Sequence, residues 1–174
     1  MEPFEFDVEI VAEPQRVSSA FWNLEDWPAI APHVRAIEML YCDDNVQVLT
    51  MQVATKGRLD RFKSVRIRQG DTIFYFQPDP PPILRRHHGS WRMAAAPSGT
   101  IVTSRHFVDI DTDAAALFLH EIGVEAPDAD SRRQQILELI RNNSLQTMLA
   151  VKKRLEQSKG GTYAPEKRGA GAVA

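Results

Sequence analysis

The chain has 174 residues, with 21 basic and 23 acidic side chains and a formal net charge of −2 at pH 7. This balance excludes a general nucleic-acid-binding protein, which needs a strongly basic surface. The length fits one domain, large enough to be stable without a disulfide or a metal ion. Cys42 is the only cysteine, which excludes an internal disulfide framework and a cysteine-based zinc site.

The ends of the chain differ in character. The N-terminal residues alternate acidic and apolar side chains and lack the basic and apolar regions of a signal peptide. No apolar run approaches the length of a membrane span. We therefore expect a soluble, cytoplasmic protein, as a monomer or homodimer. Residues 1–158 are predicted to form the domain, and the glycine-rich segment 159–174 is predicted to be a disordered tail.

The first two-thirds of the domain is predicted to be mainly β-structure. Alternation over Phe4–Ile10 predicts a half-buried strand, and Pro14 begins a short helix. A second short helix starts near Trp27-Pro28 and is limited by Pro32. Further strands are predicted at intervals of about 10 to 12 residues, a spacing typical of sequential antiparallel hairpins. They lie near residues 35–42, 45–54, 58–68, 72–77, 87–95 and 100–110.

The last third is predicted to be helical. Residues 112–130 resemble an insertion with one or two helical turns, and Ser131–Ser158 carries the longest helical pattern in the chain. Together these elements predict an α+β domain in which a curved antiparallel sheet of about seven strands grips a long C-terminal helix.

The stripe of the long helix that faces the sheet is apolar at both ends but polar at Asn143, Ser144 and Thr147. Buried polar groups without partners cost about 1–3 kcal/mol each. Two explanations remain open: the side chains bond back to the helix backbone, or the middle of the helix faces a cavity.

Three strands offer polar groups to such a cavity. His87, Gly89 and Trp91 share the apolar face of one strand, so they are predicted to point inward, with Gly89 leaving space for a close approach. On an earlier strand, Arg66 is either a surface arginine or a buried cation. On the last strand, either Arg105 and Phe107 point inward, or Ser104, His106 and Val108 do.

Common metal and cofactor signatures are absent from the sequence. His120-Glu121 begins a metalloprotease-like pair, but Val124 occupies the position of the second histidine. His87 and His88 are adjacent on a strand, so they point to opposite faces and cannot share a metal. We therefore expect no metal and no cofactor, with any chemistry supplied by ordinary side chains.

Several short motifs occur in an order that is characteristic of one family. They are Trp27-Pro28, Lys63-Ser64-Val65-Arg66, His88-Gly89-Ser90-Trp91-Arg92, Ser98-Gly99-Thr100 and Arg141-Asn142-Asn143-Ser144. In this respect the chain resembles the bacterial aromatic-polyketide aromatase/cyclases, which have the helix-grip fold of the START and birch-pollen-allergen-like proteins. The resemblance covers nearly all of residues 4–158.

The resemblance implies a deep pocket that receives a poly-β-ketone held by an acyl carrier protein. The enzyme would direct closure of the first ring by an aldol reaction, followed by dehydration and aromatisation, without a cofactor. The alternative is a non-catalytic protein that binds a hydrophobic or polyphenolic molecule in the same cavity.

Site residues follow from the resemblance by position. Arg66 matches the family's pocket arginine, and Ser64, Trp91 and Trp27 match positions that line or shape the pocket. Arg105 occupies the place of a proposed catalytic histidine, and Thr147 that of its acidic partner. The predicted catalytic set is Arg66, with His87 or His106 as the base. The predicted substrate-binding set is Trp27, Ser64, Trp91, Arg105, Phe107, Asn143, Ser144 and Thr147.

Overall fold

The structure is a computed structural model that describes residues 1–157. The predicted C-terminal tail therefore lies outside the described residues. The strands are β1 (Glu2–Ile10), β2 (Val34–Cys42), β3 (Val46–Thr55), β4 (Arg58–Gln69), β5 (Thr72–Asp79), β6 (Leu84–Ala96) and β7 (Gly99–Ile110). The helices are α1 (Pro14–Trp22), α2 (Trp27–Ile30), α3 (Thr112–Glu121) and α4 (Ala129–Gln157), with a short 3₁₀ helix at Leu24–Asp26.

The seven strands form one antiparallel sheet in the order β1-β7-β6-β5-β4-β3-β2. Strands β2 to β7 are joined in sequence as hairpins, and β1 completes the sheet beside β7. The hairpin between β3 and β4 turns at Lys56 and Gly57, both with positive φ, as a two-residue turn of this kind requires. The predicted α+β helix-grip architecture is confirmed.

Helix α4 packs on one face of the sheet through the predicted stripe. Ile136, Met148, Val151 and Leu155 are buried along it. The apolar core forms two clusters: one contains α1 and the C-terminal half of α4, the other α3 and Ile136. The middle of α4 therefore lies between the two clusters, where the sequence placed polar side chains.

The opposite face of the sheet is unusually apolar. Ile67, Phe74 and Phe76 are between 45% and 49% exposed there. They lie on neighbouring strands, since Ile67 pairs with Phe74 and Val65 with Phe76. Apolar character alone therefore does not distinguish the inner face of β4 from the outer face. Within residues 1–157, no helix is both long and apolar enough to cross a membrane.

Candidate active site

A cavity of about 170 Å³ lies between the sheet and the middle of α4. An apolar cavity of about 150 Å³ is large enough to hold benzene, so this one accommodates roughly one aromatic ring. Nine of the predicted site residues line it: Trp27, Ser64, Arg66, His87, Trp91, His106, Asn143, Ser144 and Thr147. Among residues 1–157, no group of three or more His, Cys, Asp or Glu side chains is arranged to hold a metal ion.

One row of paired residues crosses the sheet beneath the cavity. Gln47 on β3 pairs with Arg66 on β4, and Arg66 pairs with Tyr75 on β5. Tyr75 pairs with Gly89 on β6, which pairs with His106 on β7. This row, which we call the cross-sheet row, brings five residues from distant parts of the sequence into line.

Arg66 is a buried cation held by neutral oxygens. The residue is only 3% exposed to solvent. Nη1 donates to Gln47 Oε1 at 2.8 Å and to the Trp22 carbonyl at 3.2 Å, and Nη2 donates to the Phe21 carbonyl. These carbonyls lie at the C-terminus of α1, where the helix dipole favours a positive charge. No carboxylate in the described chain pairs with Arg66, so its charge is not neutralised.

Aromatic rings enclose the Arg66 guanidinium. Its central carbon lies 5.3 Å from the Trp22 ring centre, 5.8 Å from Trp27 and 5.5 Å from Trp91, within the range of cation–π attraction. Burial lowers the pKa of Arg66 to about 9, which still leaves the group charged at pH 7. Its Nε has no partner among the described residues. A developing negative charge in the cavity would therefore meet a desolvated cation.

Gly89 allows Tyr75 to lie across β6. A Cβ added at Gly89 would stand 2.0 Å from the Arg105 carbonyl oxygen and 2.5 Å from the Tyr75 hydroxyl. The prediction that Gly89 permits a close approach is confirmed, and the approaching group is the Tyr75 side chain. The Tyr75 hydroxyl consequently reaches across β6 to His106 on β7, where it lies 2.7 Å from Nδ1.

Five polar side chains form a connected network on the cavity wall. His87 Nδ1 lies 3.0 Å from Gln77 Oε1, and His87 Nε2 lies 3.1 Å from His106 Nδ1. The Tyr75 hydroxyl is within hydrogen-bond distance of both histidines. The far nitrogen of His106, Nε2, lies 3.1 Å from the Ser144 hydroxyl on α4. This network connects β5 and β6 to β7, and through His106 it reaches the long helix α4.

Both histidines of this network are neutral at pH 7. Burial, with a smaller contribution from the charge of His88, lowers the pKa of His87 to about 4. Burial and the neighbouring His87 lower the pKa of His106 to about 3. Burial also raises the pKa of the Tyr75 hydroxyl. A neutral imidazole has one nitrogen with a lone pair, which can accept a proton.

The polar middle of α4 shows both of the expected arrangements at once. Thr147 Oγ1 donates to the Asn143 carbonyl at 3.1 Å, so it bonds back to the helix. It also lies 2.8 Å from Nε2 of the buried His33, and Asn143, Ser144 and Thr147 all line the cavity. Burial lowers the pKa of His33. The helix therefore presents two hydroxyls to two histidines, Ser144 to His106 and Thr147 to His33.

Replacing Thr147 by Val should lower the free energy of unfolding by about 1–2 kcal/mol, because His33 then loses its buried hydrogen-bond partner. Thr147→Ser keeps the hydroxyl and should recover most of this stability. Urea denaturation of both variants measures the difference. A Thr147→Val variant as stable as the wild type, with a loss only in Thr147→Ser, would show that the methyl group of Thr147 matters and its hydroxyl does not.

Two predicted substrate-binding residues do not line the cavity. Arg105 is exposed and pairs with Glu5 at 2.7 Å, and Phe107 stacks on His88 with ring centres 4.9 Å apart. Both side chains lie on the face of the sheet away from α4, because Ser104, His106 and Val108 point inward. The expectation that Arg105 and Phe107 line the pocket is therefore wrong, and of the two alternatives for β7 the structure selects the one with His106.

Six polar residues in or beside the cavity were not predicted from the sequence. His33, Thr55, Asp60, Tyr75 and Gln77 line the cavity, and Gln47 bonds to Arg66 beside it. Tyr75 and Gln77 follow the buried Ile73 at every second position of β5, so the alternation already places them on the inner face with it. Gln47 likewise shares its face with the buried Leu49. His33 lies between Pro32 and Val34, where no periodic pattern indicates its direction.

Comparisons with known proteins agree with this fold. Residues 10–125 match the family model described as polyketide cyclase / dehydrase and lipid transport. The chain is similar in structure to the di-domain aromatase/cyclase BexL from the BE-7585A biosynthetic pathway, with 27% identity and a TM-score of 0.78. It is also similar to the di-domain aromatase/cyclase StfQ from the steffimycin biosynthetic pathway, with 24% identity and a TM-score of 0.79. No curated protein matches the chain significantly.

The similarity covers different shares of these proteins. The matches cover 89% of this chain and 50% of BexL, and 91% of this chain and 52% of StfQ, so the chain spans about half the length of either. The Zhui aromatase/cyclase from Streptomyces sp. R1128 matches over nearly its whole length. There the match covers 92% of this chain and 99% of Zhui, with 21% identity and a TM-score of 0.76.

Proposed function

The chain belongs to the polyketide cyclase, dehydrase and lipid transport family, and on that premise we propose that it is an aromatase/cyclase. Its substrate is a poly-β-ketone held as a thioester by an acyl carrier protein. The reaction is a regiospecific aldol closure of the first ring, followed by dehydration and aromatisation. The proposal requires no cofactor, because every step is a proton transfer or a carbon–carbon or carbon–oxygen bond change.

The observation that carries this proposal is a buried, uncompensated cation in the same cavity as a neutral histidine base. Arg66 and His106 both line the cavity and both belong to the cross-sheet row, with Tyr75 between them. An aldol closure needs a base for the α-proton and a positive group beside the oxygen that gains charge.

The steps follow from these two groups. His106 removes a proton from a methylene carbon between two ketones, and the enolate carbon attacks a second ketone to form the ring bond. Arg66 stabilises the alkoxide, which takes up the proton that His106 had removed. His106 then removes a second α-proton and gives it to the hydroxyl, which leaves as water as the double bond forms. Enolisation of the remaining ketones gives the aromatic ring.

The cavity supports selection of one closure among many. Its walls are mostly apolar, and its volume of about 170 Å³ matches one ring. Only the reacting segment of a longer chain would be enclosed, with the remainder extending to the mouth. Holding two reacting carbons in one geometry accelerates that closure over the others.

The proposal is tested by reconstitution with a minimal polyketide synthase and its carrier protein. The wild type is expected to direct products to one aromatised first ring. Arg66→Ala should reduce formation of that product by about 10²- to 10³-fold, because it removes the cation that stabilises the alkoxide. Arg61→Ala is the matched control, since Arg61 lies on β4 but is exposed and pairs with Glu38.

A second candidate, a non-catalytic binding protein for a polyphenol, is favoured by one observation. In the described chain, no carboxylate orients either histidine of the network, and His106 Nε2 already lies near the hydroxyls of Ser104 and Ser144. If the wild type binds a polyphenol but leaves the spontaneous product mixture unchanged, this candidate replaces the cyclase.

A further inference from the structure

We propose that Gln77 is a positioning residue that fixes the proton positions on both histidines and thereby makes Nε2 of His106 the base. Gln77 lies on β5 and is buried, and its role is exerted through His87. The assignment of protons is independent of the proposed function. The expected effect on turnover rests on the proposed function.

Gln77 Oε1 can only accept a hydrogen bond. It lies 3.0 Å from His87 Nδ1, so this nitrogen carries the proton and donates it. Because His87 is neutral, its other nitrogen, Nε2, then has a lone pair and no proton. The amide of Gln77 thus determines which His87 nitrogen is free to accept.

His87 in turn determines where His106 carries its proton. Nδ1 of His106 lies 3.1 Å from His87 Nε2 and 2.7 Å from the Tyr75 oxygen. With no proton on His87 Nε2, a proton on His106 Nδ1 gives both of these contacts a donor. The Tyr75 hydroxyl can then donate to His87 Nε2 at 3.4 Å or to the Arg105 carbonyl at 3.5 Å. Every contact in this arrangement has one donor and one acceptor.

The consequence appears at the far side of His106. With the proton on Nδ1, the lone pair of the neutral ring is on Nε2, which lies 3.1 Å from Ser144 Oγ and 3.0 Å from Ser104 Oγ. Both hydroxyls can donate to it or rotate away. With the protons reversed, Nε2 would carry a hydrogen and could not accept a proton from the substrate. A neutral chain of hydrogen bonds therefore does the orienting work that a carboxylate performs in other histidine sites.

The test uses the full chain labelled with ¹⁵N in its histidine rings, since ¹⁵N chemical shifts distinguish protonated from unprotonated ring nitrogens. In the wild type at pH 7, we expect Nδ1–H and unprotonated Nε2 on both His87 and His106. Gln77→Glu keeps the acceptor oxygen and should retain this pattern. Gln77→Met removes it and should give a mixture of the two proton positions on both rings. Gln52→Met, on the outer face of β3, is the matched control.

Turnover provides the second readout. In Gln77→Met we expect kcat to fall by about two- to tenfold, in proportion to the fraction of His106 that carries its proton on Nε2, with KM within about twofold because the cavity keeps its shape. Gln77→Glu should recover most of kcat. An Nε2–H signal from His106 in the wild type would overturn the proposal, as would a Gln77→Met variant with unchanged shifts. Absence of cyclase activity in the wild type would contradict the proposed function and leave the shifts to decide this one.

Discussion

On lowering the pH from 7 to 4, the free energy of unfolding should fall by about 6 kcal/mol through His87 and His106 alone. Burial holds the pKa of His87 at about 4 and that of His106 at about 3, against an ordinary value of 6.5. Below about pH 6.5 the unfolded chain binds a proton at each histidine that the folded chain does not bind. Stability is therefore fully present above pH 6.5 and is lost as the pH falls toward 4, by about 3 kcal/mol for each histidine.

Urea denaturation at pH 7, 6, 5 and 4 measures this loss. Carboxylates also titrate in this range, so the informative quantity is the difference between variants. The double variant His87→Gln with His106→Gln should lose about 6 kcal/mol less than the wild type over the same interval. His120→Gln, at an exposed position on α3, should behave as the wild type. If the double variant kept the full acid sensitivity, the two buried histidines would not be its source.

Replacing Gly89 by Ala should lower the free energy of unfolding by about 3 kcal/mol, at the upper end of the usual cost of overpacking. The added methyl group would stand 2.0 Å from the Arg105 carbonyl oxygen, so β6 and β7 would have to separate. It would also displace the Tyr75 ring and separate its hydroxyl from His106. Cyclase activity should therefore fall together with stability.

The control for this experiment is Ser90→Ala on the neighbouring position of β6, which faces the other side of the sheet and should cost no more than about 0.5 kcal/mol. Adding Tyr75→Ala to Gly89→Ala should not restore stability, because the nearest obstructing atom belongs to the backbone of β7. Full restoration would mean that the Tyr75 ring, and not the strand pairing, is the obstacle.

Most of the fold could be predicted because apolar and polar residues alternate regularly in strands and helices that pack on one side only. Alternation along β1 and the 3.6-residue stripe of α4 each describe a surface with one apolar side. The polar interruption at Ser144 and Thr147 also predicted the cavity correctly as one of two alternatives. These signals are local, so a single sequence contains them.

The site was harder to predict because strands usually bury their apolar face and expose their polar face, and two strands of this site do the reverse. On β4 the inner face carries Arg66 and the outer face carries Val65 and Ile67. On β7 the same reversal places His106 inside and Phe107 outside. The contact of Tyr75 with His106 depends on strand register across Gly89, between residues 31 positions apart. Alternation shows which residues of a strand share a face. It does not show which face points toward the cavity, or which residues of the neighbouring strand lie opposite.

The cross-sheet row also determines which kinds of mutation this site tolerates. Gln47, Arg66, Tyr75, Gly89 and His106 come from five separate strands and are aligned only by backbone pairing. A point substitution changes one chemical group and leaves the alignment intact. An insertion of one residue within a strand instead turns every later side chain of that strand to the other face. We therefore expect the chemistry of this cavity to diversify by substitution, with length changes confined to the hairpin turns.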